Sequence, residues 1–363
     1  LVKEAGLKEV NLRIALAQFN ASVGDIKGNV NRMHNLSIKA FELGADIVVF
    51  PEMSVCGYPP EDLLLKGQFL KDNRLAVEHL GKNCPDITII AGFAEADEKG
   101  YYNSLAVLQE GRVKKIYHKN ILPNYGVFDE RRYFRPGIEA LCMDIDGLAF
   151  GFTICEDIWR LKWMDCLFEK TQPVNIIINI SASPFHTGKI EQRQQILSQC
   201  AKHFNCAVTY CNLVGGQDEL VFDGRSMFVN SSGRIICQAK AFEEDILMAD
   251  FSAVNSNGGI NVKSLKNLGG CTFPAPMDPI TEIYNALILG TKDYVRKNNF
   301  SRVIIGLSGG IDSSLTAAIA VDALGAKKVV GVTMPSKFNS HDTIKDAQIL
   351  ADNLDIEFYV RSS

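Results

Sequence analysis

Residues 148–159 read LAFGFTICEDIW, an apolar, strand-forming run that ends on Cys155 and passes directly into two acids, Glu156 and Asp157. A buried strand that stops at a cysteine holds a thiol at the start of a loop on a rigid base. Two other strand ends carry complementary groups: Glu52 follows DIVVFP and Lys119 follows VKKIYH. These three residue types suit chemistry on an amide. The Cys155 thiolate would attack the carbonyl, Glu52 would take the thiol proton and later deliver it to leaving ammonia, and Lys119 would stabilise the oxyanion. Positive charge on Lys119 also favours a thiolate. Each residue alone has an ordinary reading as well: a packing cysteine, a solvated loop carboxylate, a surface charge.

Strand-like runs recur around this stretch, at Asn11–Gln18, Asp46–Phe50, Ile87–Ala94 and Val174–Ile180. Residues 103–117 hold two such runs around Glu110-Gly111-Arg112, and residues 227–239 two more around Ser231-Ser232-Gly233; both are hairpin signals. Amphipathic helices are predicted over Val30–Leu43, Asn73–Gly81 and Lys189–Phe204. The alternation implies a sheet core flanked by helices. Residues 252–279 are rich in Ser, Asn, Gly and Pro and read as an irregular linker. Beyond it come helix Ile280–Lys297, strand Arg302–Leu307, a Gly-rich turn, helix Ser314–Leu324, strand Lys328–Met334, helix Asp342–Leu354 and strand Ile356–Val360. That order opens a doubly wound parallel sheet.

The chain has 363 residues, 47% apolar and 22% charged, with net charge −4. This length suits two domains, and the charge argues against nucleic acid as the main partner. Ten cysteines without a CxxC pair point to buried thiols in a reducing, cytoplasmic setting rather than to zinc or disulfides. No apolar run reaches the length of a membrane span, so no membrane partner is expected. The first residues, LVKEAGLKEV, lack both a signal-like apolar core and an initiator Met, which suggests a processed or partial chain.

The segments FPE (50–52), YHKNILPNYGVFDERRYF (117–134) and GFTICEDIW (151–159) together resemble the nitrilase, or carbon–nitrogen hydrolase, family, over roughly residues 10–251. The resemblance implies a four-layer αββα sandwich with Glu52 as base, Lys119 as oxyanion stabiliser and Cys155 as nucleophile. It implies Glu130 as a second acid that orients base and lysine. Within that family, CGYPPEDLL (56–64), NYGVFDE (124–130), CEDIW (155–159) and NISASPF (179–185) are similar to the glutaminase domains of NAD synthetases. By that likeness L-glutamine would be read by Tyr58, Tyr125, Phe128, Glu156, Ser183 and Lys189, with Ser181 competing for the place of Ser183. Glu156 supplies a counter-charge for the ammonium and Lys189 for the carboxylate. His118, Trp159 and Trp163 are expected to be structural.

The loop Ser308-Gly-Gly-Ile-Asp-Ser-Ser314 follows strand 302–307 and enters a helix. Glycines admit phosphate to the backbone N–H groups, hydroxyls donate, and the helix N-terminus adds its dipole. Without GK[ST] it is no Walker loop. SGGxDS after a buried strand resembles the N-type ATP pyrophosphatases, which activate a carboxylate or carbonyl as an AMP ester. That resemblance places ATP on Ser308, Gly309, Gly310, Asp312, Ser313 and Ser314, Mg²⁺ on Asp312, and adenine near Met334. Joined to a nitrilase-type glutaminase over 280–363, the loop implies amidation of nicotinate adenine dinucleotide by glutamine-derived ammonia. No prosthetic group is implied, and a homo-oligomer is expected. A covered ammonia route from Cys155 to Ser308 and an incomplete second domain also follow from the likeness. The rival readings are a stand-alone amidase with a vestigial nucleotide domain and a binding protein with an inert Cys155.

Overall fold

In a computed structural model, the chain is described over residues 9–361 apart from 85, 170, 172, 257–258, 268–275 and 335–340. It divides into two compact units, residues 1–214 with 222–275, and residues 215–221 with 276–363.

The first unit begins β1 (Glu9–Gln18), α1 (Ile26–Glu42), β2 (Ile47–Val49), α2 (Gly67–Asn83), β3 (Thr88–Asp97), β4 (Gly100–Gln109) and β5 (Arg112–His118). The β4–β5 turn has positive φ at both Glu110 and Gly111, 52° and 74°. Two adjacent positive φ values match the right-handed twist of a tight hairpin, which is why Gly follows Glu there. After the short α3 (Glu130–Tyr133) come β6 (Leu141–Ile145), β7 (Leu148–Ile154), α4 (Leu161–Phe168), β8 (Ile176–Ser181), α5 (Lys189–Phe204) and β9 (Ala207–Asn212). Four short strands follow: β10 (Val214–Gln217), β11 (Leu220–Asp223), β12 (Met227–Val229) and β13 (Ile235–Gln238). Two long ones close the unit, β14 (Asp245–Ser256) and β15 (Gly259–Asn267).

Two sheets result, of order β15-β14-β1-β2-β3-β4-β5 and β13-β12-β9-β8-β7-β6. They pack face to face through one apolar cluster that includes Leu12, Ile14, Leu16, Ile47 and Ile90 from the first sheet and Phe150, Phe152, Ile176, Ile178 and Ile180 from the second. Strand periodicity explains the helical layer outside: Ile177, between two core residues of β8, joins Met164, Phe168, Leu197 and Ala201 of α4 and α5 in a separate cluster. Helix α2 lines the other sheet and α1 packs against α2. The αββα architecture expected from the sequence is present.

The expected linker requires correction. Residues 252–256 continue β14, which pairs antiparallel with β1 from Glu9↔Val254 to Gln18↔Asp245. Residues 259–267 form β15 beside it. Composition marked these residues as irregular because Ser, Asn and Gly disfavour strands locally; pairing with a distant partner overrides that preference. Residues 268–275 lie outside the described residues.

The second unit contains α6 (Pro279–Lys297), β16 (Val303–Gly306), α7 (Ile311–Leu324), β17 (Val329–Thr333), α8 (His341–Asn353) and β18 (Glu357–Val360). Asp278 caps α6 by accepting from the N–H groups of Ile280 and Thr281, with Pro279 at the first turn. The three strands are parallel, in the order β16-β17-β18. Residues 215–221, at the tip of the β10–β11 hairpin, belong to this unit: Gly216 N–H donates to Asp293 of α6 at 2.8 Å, and a Cβ on Gly216 would lie 2.8 Å from Gly290 Cα. The segment SKFNSHD (336–342) falls largely outside the described residues.

Candidate active site

At the ends of β5, β7 and β8 the first unit gathers charged side chains in a dry core. Lys119 is 1% exposed, and its Nζ donates to Glu52 Oε1 at 2.7 Å and to Glu130 Oε1 at 2.8 Å. Glu52 lies just beyond β2 and is fully buried. Its Oε1 also accepts from Asn103 Nδ2 at 2.6 Å, and its Oε2 accepts from the Ala182 N–H at 2.7 Å. Tyr58 donates its hydroxyl to Glu130 Oε1 at 2.9 Å, while Glu130 Oε2 is buried without a hydrogen-bond partner. The one ammonium offsets part of the cost of burying the two carboxyl groups.

Burial alone would lower the Lys119 pKa, but Glu130 and Glu52 offset it and hold the value well above normal, so the ammonium is charged. Glu130 is pushed up to about 7, first by burial and then by Glu52, against the pull of Lys119. Cys155, 5% exposed, starts a 3-10 turn at φ 45°, a left-handed conformation that few non-Gly residues adopt. Its thiol pKa is raised, by burial first and by Glu52 next; Lys119 pulls the other way without prevailing. The sequence-based expectation that Lys119 favours a thiolate therefore holds for sign but not for the net result. Burial and the nearby Glu52 thus favour the protonated thiol at Cys155.

A second group of predicted residues surrounds the mouth of this centre. Tyr125, 55% exposed, donates to Glu156 Oε2 at 2.9 Å and meets Phe128 edge to face at 5.6 Å. Lys189 opens α5 with its ammonium 4.3 Å from the Trp159 ring centroid, and burial lowers its pKa. Ser181 and Ser183 separate by geometry. The Ser181 hydroxyl is spent on Asn179 Oδ1 at 2.8 Å, whereas Ser183 Oγ accepts from Arg193 Nε at 3.2 Å and keeps its own proton to donate.

Sequence reasoning missed Asn103, Asp157, Arg193 and the Ala182 N–H. Asn103 was legible as a polar residue inside the apolar run of 101–108. Arg193, fully buried, holds the loop after β8 through Ser183 O at 2.8 Å and Pro184 O at 3.1 Å and pairs with Asp223 at 2.7 Å. Nothing in the polar entry to α5 distinguished it from a solvated arginine. His118 stacks on Tyr102 at 4.1 Å and contacts Glu95 at 2.9 Å, away from the Lys119 ammonium's partners.

In the second unit the loop 308–314 joins β16 to α7. Gly309 has φ 79°, and a Cβ there would meet Thr343 O at 2.3 Å, so only Gly fits. The hydroxyls of Ser313 and Ser314 donate back to Gly310 O at 3.0 and 2.9 Å, and Ser308 Oγ accepts from Gly310 N at 3.3 Å. Asp312 is exposed in the first turn of α7. Met334, 67% exposed, follows β17; because β16 and β17 run parallel with Gly306↔Val332 in register, it emerges at the same end as the loop. That end is where doubly wound folds take ligands. Among the described residues no cluster of three or more His, Cys, Asp or Glu could hold a metal by itself. The exposed carboxylate of Asp312 fits one ligand position of Mg²⁺, an ion that takes its other ligands from phosphates and water.

A double-sheet sandwich with Cys, Lys and two Glu converging at its strand ends defines the nitrilase class. The chain belongs to the carbon–nitrogen hydrolase family, which matches residues 13–256. Residues 283–362 match the NAD synthase family. The glutamine-dependent NAD(+) synthetase of Thermotoga maritima is 43% identical over 96% of this chain and 65% of its own length. That of Acinetobacter baylyi is 42% identical over 96% of this chain and 62% of its own length. The chain thus spans less than two thirds of these relatives. Among solved structures, the glutamine-dependent NAD+ synthetase of Acinetobacter baumannii in complex with adenosine diphosphate superimposes with TM-score 0.87 at 38% identity, covering 97% of this chain and 65% of that one. A nitrilase-superfamily amidase from Nesterenkonia, 20% identical with TM-score 0.59 over 66% of this chain and 90% of its own, shares the sandwich fold.

Proposed function

We propose that the first unit hydrolyses L-glutamine and that the released ammonia serves a ligase reaction of which the second unit carries the nucleotide loop. The observation that carries this reading is the buried Glu52–Lys119–Glu130 array beside Cys155. Cys155 Sγ attacks the side-chain amide carbon as Glu52 accepts the thiol proton. Lys119 stabilises the oxyanion, and collapse of the tetrahedral species expels ammonia with the proton held by Glu52. Water, deprotonated by Glu52, then attacks the thioester and releases glutamate and the thiol. Glu130 keeps Lys119 charged and oriented, and Tyr58 acts by holding Glu130.

The free amino acid ends of glutamine explain the mouth. Glu156 with Tyr125 receives the ammonium, Lys189 and the Ser183 hydroxyl receive the carboxylate, and Phe128 closes over the chain. An aliphatic amide would leave both charges unpaired, which disfavours it by the desolvation cost of each.

In the second unit Ser308, Gly309, Gly310, Ser313 and Ser314 would cradle the ATP pyrophosphate, Met334 would face adenine, and Asp312 would share Mg²⁺ with it. ATP would adenylate the carboxylate of nicotinate adenine dinucleotide with release of pyrophosphate, and ammonia would then displace AMP to give NAD. The relatives named above support this reading, as does the match of residues 283–362 to the NAD synthase family. The test measures ammonia from glutamine with and without ATP, Mg²⁺ and the dinucleotide. Turnover of glutamine well above that of propionamide supports the glutaminase. Turnover indifferent to both nucleotides favours the stand-alone amidase.

A further inference from the structure

Cys155 and Lys119 reach the site from different strands, β7 and β5, and both are held at their bases by one carboxylate. Asp157, fully buried in the turn that begins with Cys155, accepts four hydrogen bonds. Its Oδ2 accepts from the Ile154 N–H at 2.9 Å and from the Tyr117 hydroxyl at 2.8 Å. Its Oδ1 accepts from the N–H groups of Asn120 at 3.1 Å and Ile121 at 2.8 Å. Ile154 immediately precedes the nucleophile, and Tyr117 and Asn120 flank Lys119. Asn120 Nδ2 in turn donates to the Tyr117 oxygen at 2.7 Å, which fixes that hydroxyl toward Asp157.

The connection continues to the base. The Lys119 N–H donates to Asn103 O at 2.8 Å, and Asn103 Nδ2 donates to Glu52 at 2.6 Å. A strained residue needs such support: a non-Gly residue at positive φ is disfavoured and persists where neighbours over-determine it. A carboxylate that merely capped its own turn would take the Ile154 N–H and leave the other strand alone. Asp157 divides its four acceptances between the two strands.

We propose that Asp157 is a positioning residue that sets the spacing between the Cys155 nucleophile and the Lys119 ammonium. The proposal rests on the reading of Cys155 and Lys119 as a catalytic pair. Asparagine at 157 keeps the shape but offers one accepting oxygen for groups that now use two, and turns an NH₂ toward N–H donors. The nucleophile then relaxes relative to the lysine, which costs rate more than binding, because the glutamine ends are read by other residues.

The test compares wild type, Asp157→Asn and Tyr117→Phe in the whole chain, by kcat and KM for glutamine, thermal midpoint, and the rate at which iodoacetamide labels the Cys155 peptide. The expected results for Asp157→Asn are a kcat lower by about 100-fold, KM within about threefold, and labelling slowed by about 10-fold or more. Tyr117→Phe removes one donor of the four and should lower kcat by about 3–10-fold with KM unchanged. A folded Asp157→Asn with kcat within about twofold of wild type overturns the proposal, as does a loss confined to KM. If Asp157→Asn does not fold, Tyr117→Phe decides by the same criteria. A wild-type chain that releases no ammonia from glutamine sinks the glutaminase reading instead; positioning is then judged on Cys155 labelling alone, where equal rates in wild type and variants overturn it.

Discussion

The two candidate sites of this chain use opposite electrostatics. In the first unit, Glu52, Lys119 and Glu130 are buried and paired with one another before any ligand arrives. In the second, Ser308, Gly310 and Asp312 are exposed, and the hydroxyls of Ser308, Ser313 and Ser314 bond to one another and to Gly310 within the loop. A site that forms and breaks a covalent bond to sulfur gains from fixed charges in a dry environment, since reorganisation at the moment of reaction is then avoided. A site for a polyanion gains from open backbone donors that the ligand completes. Damage to the first should therefore appear in rate and stability together, and damage to the second in binding alone.

The largest effect belongs to Cys155. Cys155→Ser should lower glutamine hydrolysis by at least about 10⁴-fold while ATP binding, followed by calorimetry, stays as in wild type. Equal loss at both sites would abolish the contrast. Lys119→Met comes next, because it removes the ammonium and leaves two buried carboxylates facing each other. We expect a loss of about 10³ in kcat and of about 3–5 kcal/mol in the unfolding free energy of the first unit by urea. Adding Glu130→Gln should restore part of the stability and none of the rate. Stability unchanged in Lys119→Met would mean that the array is not a mutually dependent set.

Gly309→Ala tests the other side. The left-handed φ and the 2.3 Å approach of Thr343 O leave no room for a methyl group. ATP binding should weaken by about 10–100-fold, with glutamine hydrolysis in the absence of nucleotides unchanged. A smaller effect is expected at the mouth of the first site. Lys189→Ala should raise KM for glutamine by about 10-fold with kcat within threefold, as removal of a uniform binding contact does. A fall in kcat alone would move Lys189 out of the carboxylate role.

How far the sequence could be read follows the same contrast. The turn of the exposed loop was legible locally, because SGGIDSS supplies glycines for the turn with a strand before and a helix after. Glu52, Lys119 and Cys155 could be marked as strand-end residues, yet only family resemblance joined them, since their proximity comes from packing of two sheets. Asp157 stood in plain view two residues after Cys155 and was passed over, because three of its four partners lie 36–40 residues away. The strand character of 252–256 and 259–267 was hidden for the same reason. Pairing of β14 with β1 links residues more than 200 positions apart, which local propensity does not register.

The smallest expected effect is a pH dependence, and its sign follows from Glu130. An unfolded glutamate loses its proton near 4.3, whereas the folded chain holds it up to about 7. Between those values the native state binds more protons than the unfolded state, so stability falls as pH rises through this window. Sharing of the proton's energetics with Lys119 and Glu52 reduces the full linkage, and roughly 1–3 kcal/mol across the window is expected. Asp157, pushed up to about 6 by burial, acts in the same direction and must be separated. Glu130→Gln does so, because it removes one titration and keeps the other. Urea midpoints of both proteins from pH 4.5 to 7.5 should show the wild-type advantage over Glu130→Gln shrinking as pH rises. A constant difference across that range would place the Glu130 carboxyl at an ordinary pKa.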